Sequence, residues 1–171
     1  AVGATKSMFL NTTGVESTDS TYWNDTAPTS TLFSVGSNAG TNDSGVSMIA
    51  YCFANISGYS KFSSYTGNGN VDGTFVYTGF KPSYVVCKKT SGTEDWGIWG
   101  YYPAYNVIDR FLYANATTAE STAINDPGDF LSNGFKLRNT DGKFNGSGDT
   151  YIYMAFGQTL VGTNHIAANA R

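Results

Sequence analysis

The sequence predicts an all-β protein, an antiparallel β-sandwich of jelly-roll-like or concanavalin-like type. Three observations carry that expectation. Charged residues make up only 13% of the 171-residue chain, while Gly numbers 20 and Tyr plus Phe 23. Glu, Lys and Arg, which dominate helix surfaces, are therefore scarce, and the aromatic supply suits strands. Short aromatic and β-branched runs alternate with clusters of Gly, Asn, Asp and Ser, the residues that make tight turns.

In chain order, the apolar triplet Met8-Phe9-Leu10 precedes a Thr-, Ser- and Asn-rich stretch that holds Tyr22 and Trp23. Thr31 to Val35 reads as a short strand, followed by a turn-rich segment from Gly36 to Gly45. Val46 to Ala54 is the strongest strand signal of this half. Ile49, Tyr51 and Phe53 fall on one face and Met48, Ala50 and Cys52 on the other, the pattern of a strand covered on both sides. Asn68-Gly69 marks a turn, with a long loop as the alternative among so many glycines. Phe75 to Tyr77 and Tyr84 to Cys87 follow as strands, with Pro82 tolerated at the start of the second. Trp96 to Trp99, Phe111 to Tyr113, Gly134 to Arg138 and Thr150 to Phe156 complete the set. Ala114 to Ala123 is the one window with helical character, and its threonines limit it to a turn or two.

The chain also repeats itself. Phe9-Leu10 aligns with Phe111-Leu112, Glu16-Ser17 with Glu120-Ser121, Phe33 with Phe135, Ser44-Gly45 with Ser147-Gly148, and Ala50 to Phe53 with Tyr153 to Phe156. The separations run from 102 to 104 residues, and the five pieces keep one order. A period this long is a domain-sized unit rather than a solenoid repeat. The expected organisation is a single integrated sandwich over 1–157, built from a half repeat at 7–54 and a fuller repeat at 58–157. Residues 158–171 are left as a C-terminal tail or interface arm. Ile49, Tyr51 and Phe53 are expected to occupy the positions of Ile152, Met154 and Phe156.

Little of the sequence carries chemistry. Lys plus Arg is 10 against 13 Asp plus Glu, giving a net charge of −3, so a phosphate-binding surface is not expected. No apolar run reaches the ~20 residues of a membrane-spanning helix, and no signal peptide is visible at Ala1, although a removed leader would leave no trace. No phosphate-binding glycine loop follows a strand, and His165 has no nucleophile pattern beside it. Asp109, Glu120, Asp126, Asp129 and Asp141 nearly all sit in turns, where carboxylates cap backbone groups rather than face each other across a cleft. Asp141 to Asp149 has the oxygens of a calcium loop but lacks the spacing, and Lys143 intrudes. Neither metal nor cofactor is expected, and no enzymatic activity. Cys52 and Cys87 both lie in apolar runs and read as buried free thiols, with a disulfide between neighbouring strands as the alternative. Trp23, Trp96, Trp99, Tyr101 and Tyr102 are the aromatics available to a glycan or to a subunit interface. Strict alternation places Trp96 and Trp99 on opposite faces of one strand.

Gly58 to Gly69 and Asp72 to Pro82 resemble a repeat of virion proteins from marine and freshwater tailed bacteriophages, described as tail-fibre or other structural proteins. Asp129 to Arg138 and Tyr151 to Phe156 are similar to its later motifs, and Trp23 to Ser30 with Ile49 to Ala54 to the end of a preceding repeat. The resemblance implies a structural virion protein on the particle exterior: a fibre, an appendage or a capsid-decoration module. It implies homo-oligomers, with trimers common among elongated fibres, contacts with other virion proteins, and adhesion to host surface glycans. No catalytic residue transfers from it. A carbohydrate-binding host-recognition module and a subunit of an extracellular filament are the alternatives.

Overall fold

The structure is a computed structural model that describes residues 2–100, 107–108, 110–122 and 128–157. Two short strands, β1 (Lys6–Ser7) and β2 (Ser17–Thr18), come first, then two single-turn helices, α1 (Ser20–Trp23) and α2 (Ala39–Asn42). The strands β3 (Ser60–Thr66), β4 (Phe75–Tyr77), β5 (Pro82–Lys89) and β6 (Gly97–Gly100) form the front of the packed region. Its back consists of β7 (Val107–Ile108), β8 (Arg110–Tyr113), β9 (Ser121–Thr122), β10 (Gly128–Leu131), β11 (Gly134–Leu137) and β12 (Thr150–Gly157). The protein is thus mainly β, with little helix, in three antiparallel sheets. Among the described residues β1 pairs only with β2, a four-stranded sheet runs β4-β11-β10-β7, and a six-stranded sheet runs β3-β12-β5-β6-β8-β9.

Alternation along β12 decides how the large sheet is used. Tyr151, Tyr153 and Ala155 are buried, while Ile152, Met154 and Phe156 on the opposite face are only partly covered. The register carries the same split to the neighbours: Tyr65 lies opposite Tyr151 on one side, and Val85 opposite Ala155 on the other. The buried face meets the four-stranded sheet through Phe135, which is fully buried. Its ring makes edge contacts with Tyr153 at 5.4 Å, Trp99 at 5.8 Å and Tyr65 at 6.0 Å, joining β11 to β12, β6 and β3. Phe144 fills the end of this cluster against Trp99 at 5.0 Å. Gly97 lets it in, because a Cβ there would stand 2.4 Å from the Phe144 ring.

Several expectations need correction. Val46 to Ala54 forms no strand and is exposed along its length, because no strand among the described residues lies beside it. Alternating apolar residues give a segment the capacity to join a sheet, but a ladder needs a partner edge. Thr31 to Val35 is likewise a turn and extended chain rather than a strand. The described part of Ala114 to Ala123 holds a turn, a loop and β9 but no helix. At Asn68-Gly69, where the sequence left a tight turn and a long loop open, the structure has the long loop, since β3 and β4 join different sheets.

Phe135→Ala should lower stability by about 3–5 kcal/mol, as expected for a large ring removed from a close-packed core. Phe53→Ala, at a position 62% exposed, should cost under about 1 kcal/mol. Paired urea melts check the contrast.

Candidate interaction surface

The hairpin at 6–18 and the capped turn at 36–45 reproduce local structure found again at 110–122 and 139–148. β1 and β2 pair with Lys6 opposite Thr18 and Ser7 opposite Ser17. β8 and β9 pair with Arg110 opposite Thr122 and Phe111 opposite Ser121. Both pairs carry the same ion pair, Lys6 Nζ to Glu16 Oε1 at 3.2 Å and Arg110 Nη1 to Glu120 Oε2 at 3.1 Å. This displacement is 104 residues, so Ser7 rather than Phe9 is the counterpart of Phe111. The sequence alignment at Phe9-Leu10 is thereby corrected by two residues, because ladder register rather than side-chain identity fixes equivalence.

The next shared piece is a capped turn. The Asn38 side chain accepts from Gly40 N at 2.8 Å, and its carbonyl accepts from Thr41 N and Asn42 N at 3.0 and 2.8 Å. Asp141 does the same with Lys143 N at 2.9 Å, Phe144 N at 3.0 Å and Asn145 N at 2.7 Å. Asn42 Nδ2 donates to Gly36 O at 2.8 Å, as Asn145 Nδ2 does to Asn139 O at 2.7 Å. Both turns then reverse through a left-handed glycine, Gly45 at φ 75° and Gly148 at φ 76°, where a side chain would be strained. Every one of these pairs is displaced by 103 residues.

The two copies part company immediately afterwards. The second continues into β12, which is paired along both edges by β3 and β5. The first continues into Val46 to Ala54, where Ile49 and Tyr51 are 82% and 80% exposed. Its end is held by Phe53 against Phe62 at 5.7 Å and Phe156 at 6.1 Å, and by the Ala54 carbonyl, which accepts from Ser60 Oγ at 2.8 Å. Twelve of the seventeen exposed large apolar side chains among the described residues lie between Phe9 and Ile56. Exposed large apolar side chains are thus concentrated in the first half-unit.

Of the aromatics expected at a glycan or a subunit interface, Trp96 and Trp99 lie in the packed half. Trp99 is fully buried in the core, and its indole N–H has no acceptor among the described residues. Trp96 is on the opposite side of the sheet, as alternation requires, but it is 7% exposed and donates its indole N–H to Phe9 O at 3.0 Å. Neither ring offers a face to a sugar. Trp23 is half-buried at the end of α1, while Tyr101 and Tyr102 lie outside the described residues, as do His165, Asp109 and Asp126. Of the remaining carboxylates, Glu120 pairs with Arg110, Asp129 with Arg138 at 2.6 Å, and Asp141 caps its turn. Asp149 pairs with Lys89 at 2.7 Å, and its carboxyl is held below the usual range first by that hydrogen bond. Among the described residues no three His, Cys, Asp or Glu side chains are grouped to hold a metal. No helix among them is long and apolar enough to cross a membrane.

Both thiols are free. Cys87 is buried as expected, but Cys52 is exposed because its segment has no covering strand. Burial pushes the Cys87 thiol from 9.0 up to about 12, and raises the Tyr65 and Tyr151 hydroxyls above their ordinary 10.0.

A domain family described only as a domain of unknown function, DUF7483, matches residues 1–159. The chain belongs to the DUF7483 family. No curated protein and no solved structure matches it. The DUF7483 match runs through the exposed half-unit as well as the packed one, so the open segment at 46–54 lies within the family's domain.

Two measurements follow from this geometry. Asn145 is fully buried, and its side chain also meets Asn68 N at 3.0 Å and Asn70 O at 2.9 Å. Asn145→Ala should cost at least about 2–3 kcal/mol, since it leaves buried groups unpaired, whereas Asn42→Ala at the exposed copy should cost about 1 kcal/mol or less. The buried acids also set a pH dependence. Their protonated forms are favoured in the folded state, so the folded chain binds more protons than the unfolded one above about pH 9. Stability contributed this way is complete below that pH and is lost as pH rises towards about 12. The urea midpoint should fall steadily over that range.

Proposed function

We propose that this DUF7483 protein is a structural component of a tailed-bacteriophage particle, exposed on the exterior as a fibre, appendage or decoration module. The observation that carries this reading is the duplicated half-unit: a packed unit preceded by a second copy of its own back half, with an apolar strand segment left open. Such an arrangement serves assembly, in which a partner covers apolar surface that the half-unit leaves open. The resemblance of Gly58 to Pro82 and of Asp129 to Arg138 to virion repeats supports the same reading. In this reading the six- and four-stranded sheets make a β-sandwich, supported by the contacts of Phe135 across both, and the half repeat at 7–54 copies the back half of the fuller repeat at 58–157. The role is assembly with other virion proteins and with further copies of the chain, and it includes no catalytic step. Aromatic and amide side chains, rather than ion pairs, supply the contacts, because only 23 formal charges are spread over the chain.

Fitting the structure into density of intact particles tests this. The expected outcome is a match on the particle surface, with the chain present in the proteome of purified particles. Its absence from purified particles overturns the reading.

A further inference from the structure

We propose that the half-unit at residues 6–54 is a docking surface for a second front half, a polypeptide segment with the chemistry of this chain's own residues 58–100. That segment supplies the strands that would flank 46–54 as β3 and β5 flank β12. The inference rests on the geometry of the two copies and not on the virion reading.

The second copy shows what covers such a half-unit. In it β8 lies against β6, β11 against β4, and β12 between β3 and β5. All four partners come from residues 60–100. The first copy has the same hairpin and the same capped turn leading into Val46 to Ala54, but no strand among the described residues takes those partner places. At the shared displacement of 103 residues, Met48, Ala50 and Cys52 correspond to Tyr151, Tyr153 and Ala155, the core-facing side of β12. Ile49, Tyr51 and Phe53 correspond to its other face. Both sets are apolar, which suits a strand inside a sheet and not one in water.

The segment is also unguarded. Val46 to Ala54 contains no charged residue, no Pro and no Gly, the devices that keep exposed strands from pairing indiscriminately. Its recognition is by main-chain pairing for affinity and by alternate side chains for register, as in strand addition generally. A second intact copy of the chain does not fill the role, because its front half is already covered by its own β8, β11 and β12. The occupant is a front half with no back half of its own.

Cys52 reports on the interaction directly. It is exposed in the free chain, whereas its counterpart Ala155 is fully buried. The full-length chain is treated with N-ethylmaleimide near neutral pH, with and without a synthetic peptide of residues 58–100 carrying Cys87→Ala, and labelling of each thiol is followed by mass spectrometry. The peptide should slow labelling of Cys52 by at least about tenfold, while the buried Cys87 of the chain stays unreactive in both conditions. An Ala50→Lys chain places a charge on the core-facing side of the segment, at a position exposed in the free chain, and should lose that protection. The proposal is overturned by equal Cys52 rates with and without peptide, or by protection that survives Ala50→Lys. It is equally overturned if Cys87 becomes reactive while Cys52 does not slow, since the peptide would then be displacing the chain's own front half.

Discussion

A strand paired along both edges and buried on one face cannot be satisfied by its own sequence, and β12 is such a strand. It pairs with β3 from Thr150 to Phe156 and with β5 from Tyr151 to Gly157. Both neighbours come from the front of the packed region, so the centre of the large sheet closes only when distant parts of the chain meet. The same dependence is visible in the rings: Tyr65 of β3 stacks on Tyr151 at 4.9 Å with the planes 10° apart. The Tyr65 hydroxyl then donates to Phe144 O at 2.8 Å, tying the strand to the turn that feeds β12. Unpaired backbone groups here would be buried without water, which is why β12 exists as a strand only in the company of the front half.

Structure that closes within a few residues behaves differently. The turns capped by Asn38 and Asp141 have the same bonds although one is exposed and the other leads into the core. The two-strand pairs at Lys6–Thr18 and Arg110–Thr122 share a register although β8 has a second neighbour and β1 has none among the described residues. The ion pairs beside them join partly exposed side chains and contribute on the order of 0–1 kcal/mol, so they accompany the register rather than enforce it. Local hydrogen bonding therefore builds the half-unit's outline twice. Only the copy with strands beside it acquires a core.

This division explains what could be read from the sequence. β5, β11 and β12 were legible because their apolar runs coincide with burial, continuous along Val85 to Lys88 and alternating along β12. β3 was not, because Ser60-Lys61-Phe62-Ser63-Ser64-Tyr65-Thr66 has few apolar residues and joins the sheet through its backbone and Tyr65. Val46 to Ala54 carried a stronger pattern than β3 and yet lies open, since periodicity records which faces a segment can bury and says nothing of whether a neighbour is present. The aromatic cluster at Trp96 and Trp99 suggested a ligand platform, but composition does not distinguish a ring that holds a sugar from one that fills a core. The two-residue error at Phe9 had a readable remedy. A basic residue stands ten positions before each glutamate, Lys6 before Glu16 and Arg110 before Glu120, and that spacing marks the true register.

The count of halves constrains any larger assembly. The described residues hold one front half, at 58–100, and two back halves, at 6–54 and 107–157. The front half and the later back half saturate each other, as the continuous pairing of β3, β12 and β5 requires. Among the described residues, what is left over is a back half. Pairing through such a segment has a direction, from a strand-supplying front half to an open back half, because the two faces that meet are different and not self-complementary.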